Sequence, residues 1–239
     1  MEKTNQIQRR FVVFLDIMGF KDRVARSSAE TLYSELTDFN RDITNIINST
    51  KKVQLDALNQ QSGVSDIALD TEVDGIHDIL LAQFSDSIVL FSSDNTKESL
   101  LSISNVAKRI MQSAMDREKP IPLKGALAEG NITCDMPKQL FFGQALIDAY
   151  LLEENVQYYG VAVHHSAEKS IMDYGGTLFK DTLIPLKSGK INHYELVWYN
   201  EATEDIRQGL NRIRLTVSDS PRKYIDNTNA VIDSYLNKG

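Results

Sequence analysis

The sequence predicts an α+β protein built on a βαββαβ run of elements, the ferredoxin-like arrangement in which an antiparallel sheet carries helices on one face. Three patterns predict this order. The run at 11–15 is apolar throughout, which is typical of a strand buried on both faces. Apolar residues then recur every three or four positions, as on a helix, and two β-rich runs flank Ser85 and Asp86 as hairpin strands do.

The first half of the chain supplies the strand, the helix and the hairpin. Gly19 breaks the opening strand, and one-sided apolar spacing predicts a long amphipathic helix over 22–49. Residues 50–75 are polar and aperiodic, which indicates a surface loop. Residues 79–84 and 87–91 are rich in β-branched and aromatic residues and predict the two hairpin strands.

The second half completes the order and adds helices at its end. Start signals, prolines and apolar periodicity mark its elements. In chain order these are a helix that begins at Asp94-Asn95, a strand over 123–128 closed by Gly130, a helix over 144–154, strands at 161–163 and 191–197, and a last amphipathic helix opened by Pro221.

Composition excludes several classes of protein. No apolar run approaches the roughly 20 residues that a membrane span needs, so we expect no membrane segment. The formal net charge of −7 argues against a sequence-independent nucleic-acid binder, because such proteins need a basic face. The first ten residues lack the apolar core of a secretory signal, and Cys134 has no partner for an internal disulfide, so we expect a cytoplasmic protein.

Asp16 and Asp86 each stand where a β-rich run meets a turn. In a βαββαβ unit the first strand lies beside the hairpin strands, so the two carboxylates are expected to meet. Two carboxylates in contact repel one another unless a cation joins them, and Mg²⁺ suits a site of one or two carboxylates. The alternative interpretation makes Asp16 a helix cap and Asp86 an ordinary hairpin residue.

A glycine turn follows Asp16 immediately. The backbone N–H groups of Met18, Gly19 and Phe20, at the start of a helix, are expected to form a seat for the β- and γ-phosphates of a nucleotide. Gly19 would let the backbone come close to the phosphates. A single glycine between a strand and a helix is also common structural punctuation.

Four segments together carry a family resemblance. They are Phe14-Leu-Asp16-Ile-Met-Gly19-Phe20, Phe84-Ser-Asp86-Ser-Ile-Val, Lys124-Gly125-Ala-Leu-Ala-Glu-Gly130 and Lys187-Ser-Gly189-Lys190. In order they resemble the first metal motif, the second metal motif, the glycine-bearing strand and the late lysine turn of the class III nucleotidyl cyclases. With Phe142-Gly-Gln-Ala-Leu-Ile-Asp-Ala-Tyr150-Leu-Leu-Glu153, the chain looks most like the bacterial Pycsar pyrimidine cyclases of anti-phage defence.

The resemblance implies a cyclase catalytic domain over 11–200 that contains the 50–75 loop, after an N-terminal extension over 1–10 and before a helical appendage over 201–239. It implies a homodimer with active sites at the interface and two Mg²⁺ or Mn²⁺ ions per site. The activity implied is conversion of UTP, less readily CTP, to a 3′,5′-cyclic nucleotide that a separate effector senses.

The resemblance also assigns roles to residues. Asp16 and Asp86 would bridge both ions with the Ile17 carbonyl as an added ligand, and Lys190 and Lys187 would contact the triphosphate. Base and ribose contacts would come from the remaining candidates, which are Ala82, Gln83, Phe84 and Lys124.

Two departures separate the chain from purine cyclases. Adenylyl and guanylyl cyclases carry a charged base reader shortly before the second aspartate, and the stretch 80–83 contains none. Ile147 and Leu151 stand where that family has its ribose asparagine and its transition-state arginine. Lys124 is one candidate to replace the arginine. The alternatives are an adenylyl or guanylyl cyclase, and a catalytically silent cyclase-like module that binds a nucleotide or a partner.

Overall fold

The computed structural model describes residues 7–62 and 76–237, and strands and helices alternate along most of this length. The strands are β1 (Gln8–Ile17), β2 (Ile79–Phe84), β3 (Ser87–Ser92), β4 (Leu123–Asp135), β5 (Leu140–Gly143), β6 (Val161–Val163), β7 (Phe179–Leu186) and β8 (Gly189–Leu196). The helices are α1 (Phe20–Arg26), α2 (Ala29–Ser62), α3 (Lys97–Asp116), α4 (Gln144–Glu153), α5 (His165–Tyr174), α6 (Thr203–Arg214) and α7 (Ser220–Leu236).

The described strands form one mixed sheet in the order β2-β3-β1-β4-β6-β8-β7, and β5 pairs with the end of β4. The first four strands have the order of a ferredoxin-like unit, with β1 between β3 and β4 and antiparallel to both. The predicted α+β class is therefore confirmed. β6 joins parallel to β4, which extends the sheet beyond the βαββαβ core.

Side chains of β1 alternate between two different cores. Phe11, Val13 and Leu15 pack on the side of α2 and α3, in the larger core. Val12 and Phe14 point to the opposite face, where Ala145 and Ala149 of α4 cover them. Asp16 continues this second series by period-two alternation, so it reaches the face that α4 covers.

The helical region before the hairpin differs from the prediction at both ends. The helix expected over 22–49 is split, because the Ser28 hydroxyl accepts the Thr31 N–H and starts α2 separately from α1. At the other end α2 continues through Ser62, so the prediction of a loop is wrong over 50–62. Its remaining part, 63–75, lies outside the described residues.

Contacts with neighbouring elements explain why α2 continues. Leu55 is buried, and the Gln54 side chain donates to the Ser102 hydroxyl and accepts the His77 N–H. Lys, Gln, Leu and Ala, which fill this stretch, are good helix formers. Among the described side chains of 50–59, Leu55 is the buried apolar residue where α2 packs on α3. The stretch therefore lacks the regular apolar spacing that would predict a helix.

The hairpin is confirmed, with Ser85 in a left-handed conformation at its tip (φ 57°). α3 begins slightly later than predicted, because Thr96 caps it by accepting the Ser99 N–H. The strand closed by Gly130 in the prediction instead runs to Asp135, where β5 pairs with it. The prediction also lacked α5, α6 and β7.

Two helices, α6 and α7, close the described chain and bury Ile206, Leu210, Ile225 and Ile232 against the larger core. They carry the predicted C-terminal helical part. In the described part of the chain, no helix combines the length and the apolar character that crossing a membrane requires.

Candidate active site

The fold brings Asp16 and Asp86 together at one end of the sheet. Asp16 is the penultimate residue of β1, and Asp86 lies in the turn between β2 and β3. The Ile17 N–H donates to the Asp86 carbonyl at 2.9 Å, which ties the hairpin turn to β1 directly beside Asp16. Across the sheet, Asp16 pairs with Ser87 on one side and with Lys124 on the other.

The Asp16 carboxyl lies in surroundings that disfavour its charge. Burial raises its pKa to about 7, helped by the negative charges of Glu153 and Asp86 and opposed by Lys124. Three carboxyl groups and one ammonium group therefore act on one another at this end of β1. A cation placed among them would favour the ionised form of Asp16.

Lys124 and Glu153 form a buried ion pair next to Asp16. The Lys124 ammonium lies 2.8 Å from Glu153 Oε1 and donates to the Glu153 carbonyl at 3.0 Å. Burial raises the pKa of the Glu153 carboxyl, and its bond to Lys124 lowers it. Glu153 was not among the predicted site residues, although it ends the segment 142–153 that carries part of the family resemblance, and it is the last residue of α4.

The donor set fits a magnesium-type ion completed by substrate. In antiparallel pairing the Asp86 N–H would return a bond to the Ile17 carbonyl, but the described backbone bonds include only the first of the two. The Ile17 carbonyl is thus left without a backbone donor on the Asp86 side. Among the described residues no three His, Cys, Asp or Glu side chains converge as a ligand cluster, and Mg²⁺ needs only one or two carboxylates when phosphates supply the rest.

The glycine turn differs in one respect from the predicted phosphate seat. Gly19 has a left-handed backbone (φ 73°) and precedes α1, as the prediction of a turn requires. The Met18 N–H, however, donates to the Pro122 carbonyl at 2.9 Å, so it is engaged by the sheet and cannot bind a phosphate. Met18 is therefore removed from the predicted set, and Gly19 and Phe20 remain.

An apolar pocket of about 510 Å³ opens beside the aspartates, on the face that α4 covers. The Phe14 ring forms one wall and meets the Tyr150 ring edge to face, with centroids 5.5 Å apart. The full lining is Phe14, Ala82, Gln83, Phe84, Ser87, Val89, Phe91, Gln139, Phe141, Leu146, Ile147 and Tyr150. Three of the predicted base and ribose contacts belong to it, and Lys124 lies outside it in the pair with Glu153.

The two lysines of the late turn occupy different positions. Lys187 lies between β7 and β8, where its N–H donates to the Asn155 carbonyl at 2.8 Å and its charge lowers the pKa of Glu153. Lys190 is exposed on β8, and its backbone pairs with Pro185. Within one chain Lys187 thus lies near Glu153, while nothing in the described contacts joins Lys190 to either aspartate.

Solved structures of nucleotide cyclases share this arrangement of elements. One structure of a bacterial light-regulated adenylyl cyclase matches with a TM-score of 0.52 and 12% identity, over 90% of this chain and 58% of that chain. A second such structure matches at 0.49 and 15%, over 85% and 99% of the two chains. The adenylate/guanylate cyclase/hydrolase from Silicibacter pomeroyi matches at 0.48 and 16%, over 80% and 98%. No protein-family model and no curated protein matches the chain.

At such low identities the similarity establishes a fold and nothing finer. We infer the fold from the match with a TM-score of 0.52, because the other two fall below 0.5. The chain therefore has the fold of the nucleotidyl cyclases, and what it does has to be argued from its own residues.

Proposed function

We propose that this chain is a pyrimidine nucleotide cyclase that converts UTP, less readily CTP, to the 3′,5′-cyclic monophosphate and pyrophosphate. The observation that carries the proposal is the proximity of Asp16 and Asp86 at the end of β1, where the Ile17 N–H binds the Asp86 carbonyl, beside an apolar pocket and in a cyclase fold. Each part alone is common in proteins. Their combination would supply a cation site, a phosphate turn and a base pocket in one place.

The reaction forms a bond between the ribose 3′ oxygen and the α-phosphorus. The bond from that phosphorus to the oxygen bridging to the β-phosphate breaks, so pyrophosphate leaves and the 3′-hydroxyl loses its proton. Two Mg²⁺ or Mn²⁺ ions, when bound, would acidify the 3′-hydroxyl and neutralise charge on the leaving pyrophosphate.

The residues of the chain would bind the cations, bind the phosphates and stabilise the charge of the transition state. Asp16, Asp86 and the Ile17 carbonyl would hold the cations, and the N–H groups of Gly19 and Phe20 would bind phosphate oxygens. Lys124 is the buried cation next to Asp16 and is our candidate for the transition-state charge that an arginine supplies in related cyclases. Its pairing with Glu153 would keep it in place before substrate binds.

The proposed preference for a pyrimidine over a purine is supported by the lack, in the described lining of the pocket, of the charged base reader that purine cyclases carry. In the described residues its lining contains no charged side chain, and its polar groups are the amides of Gln83 and Gln139 and the hydroxyls of Ser87 and Tyr150. The Gln83 amide is oriented from outside, since Asn40 donates to its oxygen at 2.7 Å. Neutral amides and hydroxyls can bond to the neutral edge of uracil or cytosine, and the choice of a pyrimidine over a purine rests on the missing charged reader alone.

A homodimer is part of the proposal. Several large apolar side chains around the pocket and on α4 are exposed, although soluble monomers rarely display such a group together. These are Phe84, Leu140, Phe142, Ile147, Tyr150 and Leu151. A second copy of this chain would cover them and place the active sites at the interface, where we propose that Lys190 and Lys187 reach the triphosphate.

The biological role follows from the resemblance to Pycsar enzymes. We propose that the cyclic nucleotide is a second messenger in bacterial anti-phage defence and that a separate effector senses it. No interaction with nucleic acid or membrane is part of this role, in keeping with the net charge of −7.

The proposal is tested by incubating the purified protein with Mn²⁺ and each of the four nucleoside triphosphates separately, and identifying products by mass spectrometry. We expect cyclic UMP, a smaller amount of cyclic CMP, and no product from Asp86→Asn. Formation of cyclic AMP or cyclic GMP instead would show a purine cyclase. No cyclic product from any nucleotide would favour the catalytically silent module, which the apolar Ile147 and Leu151 already make the second candidate.

A further inference from the structure

The C-terminal helix α7 is bonded to the backbone of the chain that follows α4. This stretch, residues 154–160, runs from Glu153 to the start of β6 and is called here the linker. Asn227 donates from its side chain to the Gln157 carbonyl at 2.6 Å. The Tyr159 N–H donates to the Thr228 hydroxyl at 2.9 Å, so α7 holds the linker backbone at two points.

Tyr224 makes a third attachment, one helical turn before Thr228. Gln157 Nε2 donates to its hydroxyl at 3.0 Å. Its ring stacks on Tyr159, with centroids 5.7 Å apart and planes inclined by 21°. A polar bond and an aromatic stack from one side chain fix both ends of a three-residue stretch of the linker.

The same hydroxyl lies within electrostatic reach of the candidate active site. Burial raises the pKa of the Tyr224 phenol, the bond from Gln157 lowers it, and the charges of Glu153 and Asp16 raise it further. Tyr224 is therefore a residue of the C-terminal helix that lies within electrostatic reach of Asp16 and Glu153.

The linker also holds other parts of the candidate site. Its Gln157 N–H donates to the Pro185 carbonyl at 3.0 Å, and its Asn155 carbonyl accepts the Lys187 N–H. At its start, the Glu153 carbonyl and carboxylate both bind the Lys124 ammonium. A shift of the linker would thus move the lysine turn and the buried ion pair together.

We infer that Tyr224 is a positioning residue for the proposed active site. By binding Gln157 and stacking on Tyr159, it holds the linker so that Lys124, Glu153 and the Lys187 turn keep their places beside Asp16. Tyr224 acts through the linker and does not itself take part in the chemistry. The kinetic part of this inference rests on the proposed cyclase function, whereas its structural part does not.

The test compares Tyr224→Phe with Tyr235→Phe in the full chain. Both variants remove one phenol hydroxyl from α7, but the Tyr235 ring packs edge to face on Tyr199 and under Lys180, whereas Tyr224 contacts Gln157 and Tyr159 of the linker directly. Three quantities are measured for each variant: amide hydrogen exchange over 154–160 and 185–187, the urea midpoint, and kcat and KM for the preferred nucleotide.

For Tyr224→Phe we expect linker exchange to rise by about fivefold, as the loss of one uncharged hydrogen bond predicts. We expect kcat to fall by about the same factor, because Lys124 is proposed to act in the transition state, and KM to rise by a smaller factor, because Lys187 is proposed to contact the triphosphate. Tyr235→Phe should leave linker exchange and kcat as in the wild type, and the urea midpoint of Tyr224→Phe should fall by no more than the loss of that one hydrogen bond accounts for.

Tyr224→Phe with wild-type linker exchange would overturn the inference, as would equal effects of the two variants on exchange and kcat. If the wild-type protein forms no cyclic nucleotide, the proposed function fails, and the exchange comparison alone then decides whether Tyr224 holds the linker.

Discussion

Replacing Asp16 by Asn is expected to stabilise the metal-free protein at neutral pH while abolishing its activity. The fold raises the pKa of this carboxyl from 3.8 to about 7, chiefly by burial and then by the charges of Glu153 and Asp86. Each pKa unit corresponds to about 1.4 kcal/mol. Because the side chain is only partly buried, solvent screening reduces the expected gain to about 1–2 kcal/mol.

The pH dependence has a definite sign. Between the unfolded pKa near 3.8 and the folded pKa near 7, the folded state binds more protons than the unfolded state at Asp16. The free energy of unfolding of the wild type therefore falls as pH rises through this window. The advantage of Asp16→Asn should be absent below about pH 4 and complete above pH 7.

Urea unfolding with EDTA at pH 4 and pH 8 measures the effect. Asp56→Asn is the matched control, since Asp56 is an exposed aspartate on α2. Adding Mn²⁺ at pH 8 should stabilise the wild type and leave Asp16→Asn unchanged, because the amide cannot replace the ionised ligand. The reasoning is refuted if Asp16→Asn at pH 8 without metal is no more stable than the wild type.

Three further predictions address other parts of the site. Gly19→Ala should cost about 1 kcal/mol in urea unfolding, because the position has a left-handed φ although no atom lies within 4 Å of an added Cβ. Lys124→Met should cost about 3 kcal/mol by leaving Glu153 buried and unpaired, and adding Glu153→Gln should recover most of that loss, as urea unfolding will show. The double variant Ile147→Glu, Leu151→Glu should be a monomer, whereas the wild type should be a dimer, and it should form no cyclic nucleotide. Light scattering measures the mass, and an unchanged mass in the variant would contradict the proposed interface.

The hairpin and the central strand could be predicted because their patterns are local. Two β-rich runs and the two-residue turn between them indicate the pairing of β2 with β3, and β1 is apolar on both faces because both are covered. The neighbourhood of Asp16 and Asp86 then follows from the order of the strands. No longer-range information is needed for that step.

The predictions that were wrong concern features whose structure depends on tertiary contacts. The helix over 50–62 depends on Gln54 and Leu55 meeting α3, which aperiodic polar sequence does not reveal. The Met18 N–H binds the Pro122 carbonyl because of the register between β1 and the start of β4. The sequence motif around Asp16 does not indicate this bond.

Glu153 and Tyr224 were not found because each reaches the site from a separate element. Glu153 lies at the end of α4, and Tyr224 lies on α7, more than 200 residues after Asp16. Glu153 ends the segment 142–153 that resembles the Pycsar cyclases, but that resemblance gave it no role, and Tyr224 belongs to an ordinary amphipathic helix pattern. Only the packing of those helices against the sheet brings them near the aspartates.

The central claim is tested most directly by a competition assay in which the wild-type protein and Mn²⁺ meet equimolar ATP, GTP, CTP and UTP, with cyclic products quantified by mass spectrometry. Asp16→Asn serves as the inactive reference. The account predicts that cyclic UMP is the main product and that the reference forms none. A main product of cyclic AMP or cyclic GMP, or no cyclic product from the wild type, would contradict it.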